Sequence, residues 1–324
     1  MNTLFQRPDR INNSLFVVSP IFNPVRYKTR WKLYEDFAKR VTEAGAILYT
    51  AEAAFGERDF VVTNPSNPNH VQLRCNNELW LKENMINIGI SRLPLDAKYI
   101  AWIDADVQFV RDDWVDETLH QLQHYPIIQM FSESQDLSPD YQTLRTFKSY
   151  AWCYKNDIPQ DAANAYHLQQ LARQHYWHPG YAWAIRKETL NAIGGLIDWA
   201  ILGGADLFMA KAISGHLDEK RMPASLGQAG VKWLRIWQER VDTVIKRNLG
   251  YMDGLLLHHW HGKKINRAYK DRGQVLVDAN FNPEVDLYKD SQGLWQLNPS
   301  NIKLRDGIRT YFRQRNEDDI SIGE

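Results

Sequence analysis

The chain has 324 residues, with 39 Lys plus Arg against 39 Asp plus Glu, so no overall field draws it to nucleic acid or to an anionic membrane. Its 12 Trp and 15 Tyr serve equally as core filling and as flat platforms for sugar or base faces. Cys75 and Cys153 stand far apart without Cys-x-x-Cys or Cys-His spacing, which gives no sign of a zinc site or a disulfide framework and fits a reducing compartment.

From Met1 to Arg10 the chain carries charges and a proline where a secretory signal needs an apolar run. No later stretch approaches the ~18 apolar residues of a membrane span, so the expected location is the cytoplasm. A length of this order fits one α/β enzyme domain with embellishments.

The run 15–20, Leu-Phe-Val-Val-Ser-Pro, predicts a buried first strand that stops at Pro20. Apolar residues at helical spacing predict a helix over 27–43, with Gly45 as its stop, and a second strand over 46–50. Strand, helix, strand in this order implies parallel pairing. Residues 64–69 read as a loop, 78–90 as a helix and 99–103 as a third strand that runs straight into Asp104-Ala105-Asp106. A helix over 113–125 and a strand over 127–131 extend the alternation, and the fold class is therefore an open, doubly wound, mostly parallel α/β sheet. Between 132 and 177 the pattern weakens into polar stretches and short helices, expected to form an insertion that faces an acceptor. After Asn280 the chain is polar, with helical pattern only over 302–313.

Three constellations carry chemistry. Asp104 and Asp106 follow an apolar strand, where open α/β sheets bind ligands, and residues i and i+2 of a strand can aim two carboxylates at one hard cation that bridges phosphate oxygens. Two solvated acids in a turn are the plainer alternative. His258-His259-Trp260-His261-Gly262-Lys263-Lys264 follows Leu255-Leu256-Leu257, offering neutral imidazole ligands with cations beside them for phosphate, Lys263 among them. Ordinary histidines on a polar rim read equally well. Gly203-Gly204-Ala205-Asp206 opens a helix, where Asp206 is either a carboxylate stabilised by the helix dipole and presented to a ligand, or a simple N-cap. The segment from Lys232 to Arg272 holds ten Lys or Arg against four Asp or Glu, the one local charge excess.

Together these segments resemble GT-A glycosyltransferases, most nearly the β-1,4-galactosyltransferase-like group, over roughly residues 15 to 272. Val17-Val18-Ser19-Pro20 resembles that group's first strand, ending in a proline turn against the nucleotide, with Asn23 and Arg26 in the donor loop that follows. Lys82 to Ile90 is similar to the helix before the metal motif, with Asn87 and Gly89 matching and Lys82 where an Arg is usual. Asp104-Ala105-Asp106 matches the metal motif, and His258-x-x-His261 falls where the group completes its metal shell. The strand beginning His178-Pro179-Gly180-Tyr181-Ala182-Trp183 resembles the one that brings a glycine to the two sugars, which makes Gly180, Tyr181 and Trp183 acceptor-side candidates. Gly203-Gly204-Ala205-Asp206 stands where the group has Gly-Gly-Glu-Asp, its Asp being the general base.

The departures are Ala205 in place of an acid and Leu202 in place of a Trp that packs on acceptor sugar, with Trp199 nearby as a substitute. Glu52 is a donor-side candidate for base or ribose, or else a solvated loop acid. The resemblance implies a GT-A domain over 1–275 and a C-terminal extension over 276–324 packed on it. It further implies manganese or magnesium, a uridine diphosphate sugar as donor, and inverting transfer with Asp206 as base. A glycan or small-molecule acceptor fits the balanced charge, whereas the basic stretch fits DNA with hydroxymethylated bases, an acceptor of bacteriophage enzymes. A retaining transferase, a nucleotidyltransferase and a non-catalytic carbohydrate-binding protein are the other readings of the same residues.

Overall fold

The computed structural model describes residues 13–158, 177–217, 224–269 and 271–322. Met1 to Arg10 and residues 159–176 of the expected insertion lie outside the described residues. The first half alternates as expected. Strand β1 (Leu15–Phe22) leads to helix α1 (Lys28–Glu43), which buries the stripe Tyr34, Phe37 and Val41, and Gly45 turns the chain at φ +86°. Then come β2 (Ile47–Phe55), β3 (His70–Cys75), α2 (Lys82–Ile90), β4 (Tyr99–Ile103), β5 (Val107–Phe109), α3 (Trp114–His124) and β6 (Ile127–Gln129).

Three boundaries differ from the sequence expectation. β1 continues past Pro20, because its pairing with β4 ends at Val18 and only β2 runs on beside it, so a residue without an N–H costs the ladder little. β2 continues to Phe55, so Glu52 sits within a strand and not in a loop. β3 was not foreseen: it is an edge strand whose His70, Gln72 and Arg74 dilute the apolar signal.

The described part of 132–177 is more strand than helix, containing β7 (Glu133–Leu137), β8 (Thr143–Ser149), the short helix α4 (Tyr150–Lys155) and β9 (Trp177–His178). β10 (Ala182–Arg186), α5 (Lys187–Ile193), α6 (Ala205–Ser214), α7 (Gly227–Val244), β11 (Leu249–Tyr251) and β12 (Leu255–His258) follow. The chain then adds α8 (Arg272–Asp278), α9 (Pro283–Asp286), the hairpin β13 (Leu287–Lys289) and β14 (Trp295–Leu297), and α10 (Ile302–Gln314).

The main sheet has the order β11-β6-β10-β4-β1-β2-β3, parallel throughout except for β10. This is the mostly parallel, helix-flanked α/β architecture that the alternation implied. Alternate residues of β1 serve opposite faces: Phe16 and Val18 join Ile86 and Ile90 of α2, while Leu15 and Val17 join Tyr34 and Phe37 of α1. A third apolar cluster sets Leu304, Ile308, Tyr311 and Phe312 of α10 against Phe22, Leu73 and Met85, so the C-terminal segment is bonded to the site end of β1 and to α2. The second sheet, β5-β12-β7-β8-β9, begins three residues after Asp104. No helix among the described residues is long and apolar enough to cross a membrane.

Candidate functional site

The site begins where β4 stops. The strand ends at Ile103, and residues 104–106 form a turn, so the same-face rule for i and i+2 does not govern the two aspartates. Asp104 donates its backbone N–H to the Tyr181 carbonyl at 2.8 Å, and its carboxylate receives the Lys82 ammonium at 2.5 Å. Asp106 faces elsewhere. β5 pairs with β12 so that His258 lies opposite Val107, and the His259 N–H bonds to the Asp106 carbonyl at 2.8 Å. The outcome is a group of Asp106, His258 and His261 whose ligand atoms all lie within 4.8 Å of one another.

Both imidazoles are oriented by their other nitrogen. His258 Nδ1 lies 2.8 Å from Asp136 Oδ1, and His261 Nδ1 lies 3.1 Å from the His259 carbonyl. With Nδ1 as the donor in each case, both Nε2 lone pairs point at Asp106, at 3.9 Å and 3.3 Å from its oxygens. Burial, reinforced by the nearby Arg267 cation, pushes His261 down to about 3, so it is the neutral ligand form near pH 7. Burial opposes ionisation of Asp106, yet His261, His258 and Arg267 hold it at about 2. Asp106 Oδ1 is buried without a hydrogen-bond partner, an arrangement that costs free energy unless a ligand satisfies the oxygen. Two imidazoles, one orphaned carboxylate oxygen and a second aspartate two residues away suit a divalent ion such as manganese. His259 does not take part; its ring packs against Tyr141.

Asp136 organises this shell and was not foreseen, since residues 132–177 gave no clear pattern. The parallel pairing of β12 with β7 sets His258 in register with it. Its carboxylate accepts from His258, from the Tyr181 hydroxyl at 2.9 Å and from Lys264. Burial would raise its pKa, but the His258 bond and the Lys264 cation hold it well below the usual carboxylate range. Tyr181, at φ +77°, is sandwiched between His178 at 3.9 Å and His258 at 4.6 Å. Its ring therefore braces the imidazole of His258.

Asp106 and His261 also wall a cleft of ≈ 90 Å³, with Pro20, Phe22, Arg30, Trp80, Lys82, Asp104 and Arg315. Burial alone would neutralise Lys82, but the Asp104 carboxylate beside it keeps it a cation. Glu83 is buried and pushed up to about 8 in spite of Lys82. Arg30, Trp80 and Arg315 were missed from the sequence because nothing local marks them.

Asp206 is not an N-cap. Gly204, at φ +95°, holds that position, and Asp206 stands in the first turn of α6 with Oδ1 accepting the Leu207 N–H at 2.8 Å. Its Oδ2 faces Gly180, where a Cβ would come within 2.9 Å, so glycine is what allows the two segments to approach.

The remaining candidates separate. Asn23 binds the Tyr27 backbone N–H and carbonyl, and with Arg26 and Arg58 it lines a small recess beyond Phe22. Glu52 is no solvated acid: both oxygens are taken by the N–H groups of Val61, Val62 and Thr63 and by the Thr63 hydroxyl, so it fastens the loop walling that recess. Lys263 stands 4.0 Å from Asp319 and outside the cleft wall. Asn87 bonds to the backbone of Leu196, at 2.9 Å in each direction, and so holds the loop that follows α5. Trp183 is core: it stacks on Trp102 at 6.5 Å and donates to the Pro179 carbonyl at 2.8 Å. Trp199 packs edge-on against Trp233 in a separate groove of ≈ 610 Å³. Of the basic stretch, Lys264 and Arg267 turn inward to the site and Arg272 bonds to Tyr311, while Lys232, Arg235, Arg240, Lys246 and Arg247 are exposed on α7 and the turn after it.

No family model matches the sequence, and no curated protein matches it. Among solved structures the chain is similar to the catalytic domain of Drosophila beta1,4-galactosyltransferase 7 in complex with xylobiose, at 13% identity and TM-score 0.34, covering 63% of this chain and 62% of that one. It is also similar to glucosyl-3-phosphoglycerate synthase from Mycobacterium tuberculosis in complex with Mn2+, UDP and phosphoglyceric acid, at 10% identity and TM-score 0.39, covering 89% and 87%. A nucleotide-diphospho-sugar transferase fold from Desulfovibrio desulfuricans is similar at 11% identity and TM-score 0.30, covering 93% and 97%. The chain thus spans less than two thirds of the galactosyltransferase it matches.

Proposed function

We propose that the chain is a metal-dependent glycosyltransferase of the GT-A type, moving a sugar from a uridine diphosphate sugar to an acceptor hydroxyl with inversion. The observation that carries this reading is the meeting of Asp106, His258 and His261 at the end of β4, beside a cleft lined by Arg30, Lys82 and Arg315. A divalent ion held there stabilises the charge that develops on a departing diphosphate. Asp106 supplies the anionic oxygen, and the two imidazoles supply neutral nitrogen and tilt the choice toward manganese. Lys82, kept cationic by Asp104, faces the same phosphates.

Asp206 takes the acceptor proton. Its Oδ2 side, against Gly180, is free of the Leu207 bond. Proton transfer of this kind contributes ~10²–10⁴ in rate. The balanced overall charge, 39 Lys plus Arg against 39 Asp plus Glu, favours a glycan or small-molecule acceptor over DNA.

The test is a panel of nucleotide sugars with manganese, scored by mass spectrometry for nucleoside diphosphate release and by NMR for the anomeric configuration of product. Release from a uridine diphosphate sugar, abolished with manganese binding in Asp106→Asn, is the expected result. A folded Asp106→Asn protein with undiminished turnover refutes the metal assignment, and pyrophosphate release would make the chain a nucleotidyltransferase.

A further inference from the structure

We propose that Arg315, delivered by the C-terminal segment and oriented by Glu317, is a direct ligand of the donor's diphosphate, with Arg30 beside it in the same cleft wall. The proposal rests on the donor reading above and adds to it an arginine that lies some two hundred positions from the aspartate pair.

Arg315 is built into place. Its side chain is 3% exposed, its guanidinium lies over Trp80 at 5.1 Å, Nε donates to Glu317 at 2.5 Å, and Nη1 donates to the Tyr311 hydroxyl at 2.9 Å. No hydrogen bond to Nη2 occurs among the described residues, although Arg315 walls the same cleft as Asp104 and Asp106. Glu317 is shared, since both its oxygens also receive Arg30. Behind His261, Arg267 is buried, gives Nη1 to Tyr269 and leaves Nε without a partner. Burying a donor of a cation unpaired is costly, and the cost is relieved by an anion.

The charge count points the same way. Of the charged residues that wall the cleft, Arg30, Lys82 and Arg315 are three cations against the two carboxylates of Asp104 and Asp106. A divalent ion raises the excess further, and a diphosphate is the anion of matching charge. Arginine forks suit phosphate oxygens, and an oriented fork loses little entropy on binding. The segment bearing Arg315 is strapped down beforehand: the Tyr27 hydroxyl donates to the Phe312 and Arg313 carbonyls at 3.0 and 2.9 Å. Asp318 accepts the N–H groups of Lys28 and Thr29 at 3.0 and 2.8 Å, at the start of α1. Gly262 lies so close beneath the strap that a Cβ would meet the Asn316 carbonyl at 2.8 Å, which couples the strap to the loop carrying His261.

The experiment is calorimetric titration of the full chain, with manganese present, by UDP, inorganic pyrophosphate and uridine, for the parent and for Arg315→Gln and Arg315→Lys. Losing a charged hydrogen bond predicts ~10- to 100-fold weaker UDP and pyrophosphate binding by Arg315→Gln. Uridine and manganese affinities are expected to stay as in the parent. Arg315→Lys keeps the charge and the stem over Trp80 while losing the fork, and is expected to bind pyrophosphate several-fold more weakly; it serves alone if the Gln variant fails to fold. Parental pyrophosphate affinity in a folded variant overturns the proposal and leaves the donor reading standing. A parent protein that binds neither UDP nor pyrophosphate overturns both.

Discussion

Replacing Asp206 by Asn separates chemistry from architecture. In the folded chain Oδ1 accepts the Leu207 N–H at 2.8 Å, a bond that an Asn carbonyl oxygen can keep. What is lost is one negative charge in the first turn of α6, worth up to ~1 kcal/mol against the helix dipole. For a chain of this size that corresponds to a fall in Tm of about 1–2 °C. Gly204 retains the cap position, so the helix start itself is not disturbed. Turnover is expected to fall by ~10² or more, because an amide cannot accept the acceptor's proton, while manganese and UDP affinities stay near parental values. The assay pairs thermal melts and calorimetry with steady-state rates under saturating donor. Near-parental turnover in a folded Asp206→Asn protein would remove Asp206 as the base and, with it, the inverting mechanism argued here.

His261→Ala is expected to shift the manganese titration of activity to higher concentration, with partial recovery at excess metal; an unchanged titration curve would exclude His261 from the shell. Glu83→Gln is expected to alter the pH dependence of stability. Folded Glu83 titrates at about 8 and the ordinary value is 4.5, so between these the folded state holds a proton that the unfolded chain releases, and parental stability declines as pH rises through this window. Urea unfolding should show the Gln variant gaining on the parent from pH 5 to pH 8, and a constant difference would refute a buried neutral carboxyl. Gly89→Ala places a methyl 2.6 Å from Val18 Cγ1 and is expected to destabilise the chain by ~1–3 kcal/mol through overpacking between α2 and β1. Unchanged urea unfolding would show that this contact yields freely.

Much of the scaffold was legible in the residues themselves. The apolar runs of β1 and β4 and the helical stripe of α1 are local patterns, and backbone periodicity converts them directly into a sheet with helices on it. The aspartate pair after β4, and the histidines after the apolar run of β12, were visible for the same reason: they sit at strand ends, where ligands bind.

Which of them meet was decided by tertiary structure alone. The turn after Ile103 sends Asp104 to Lys82 and Asp106 to the histidines, and strand pairing, with Val107 opposite His258 and Asp136 in register with His258, selects two of the three imidazoles. Strands β3 and β8 bury few side chains, and β7 buries the polar Ser134 and Asp136, so none of the three leaves an apolar period in the sequence. Arg315 reaches the cleft only because α10 packs on the apolar cluster around Phe22, a contact between chain segments about three hundred residues apart. Local spacing determines what an element is and which way its side chains face; the partner across a cleft is set by packing between distant segments, which no local spacing records.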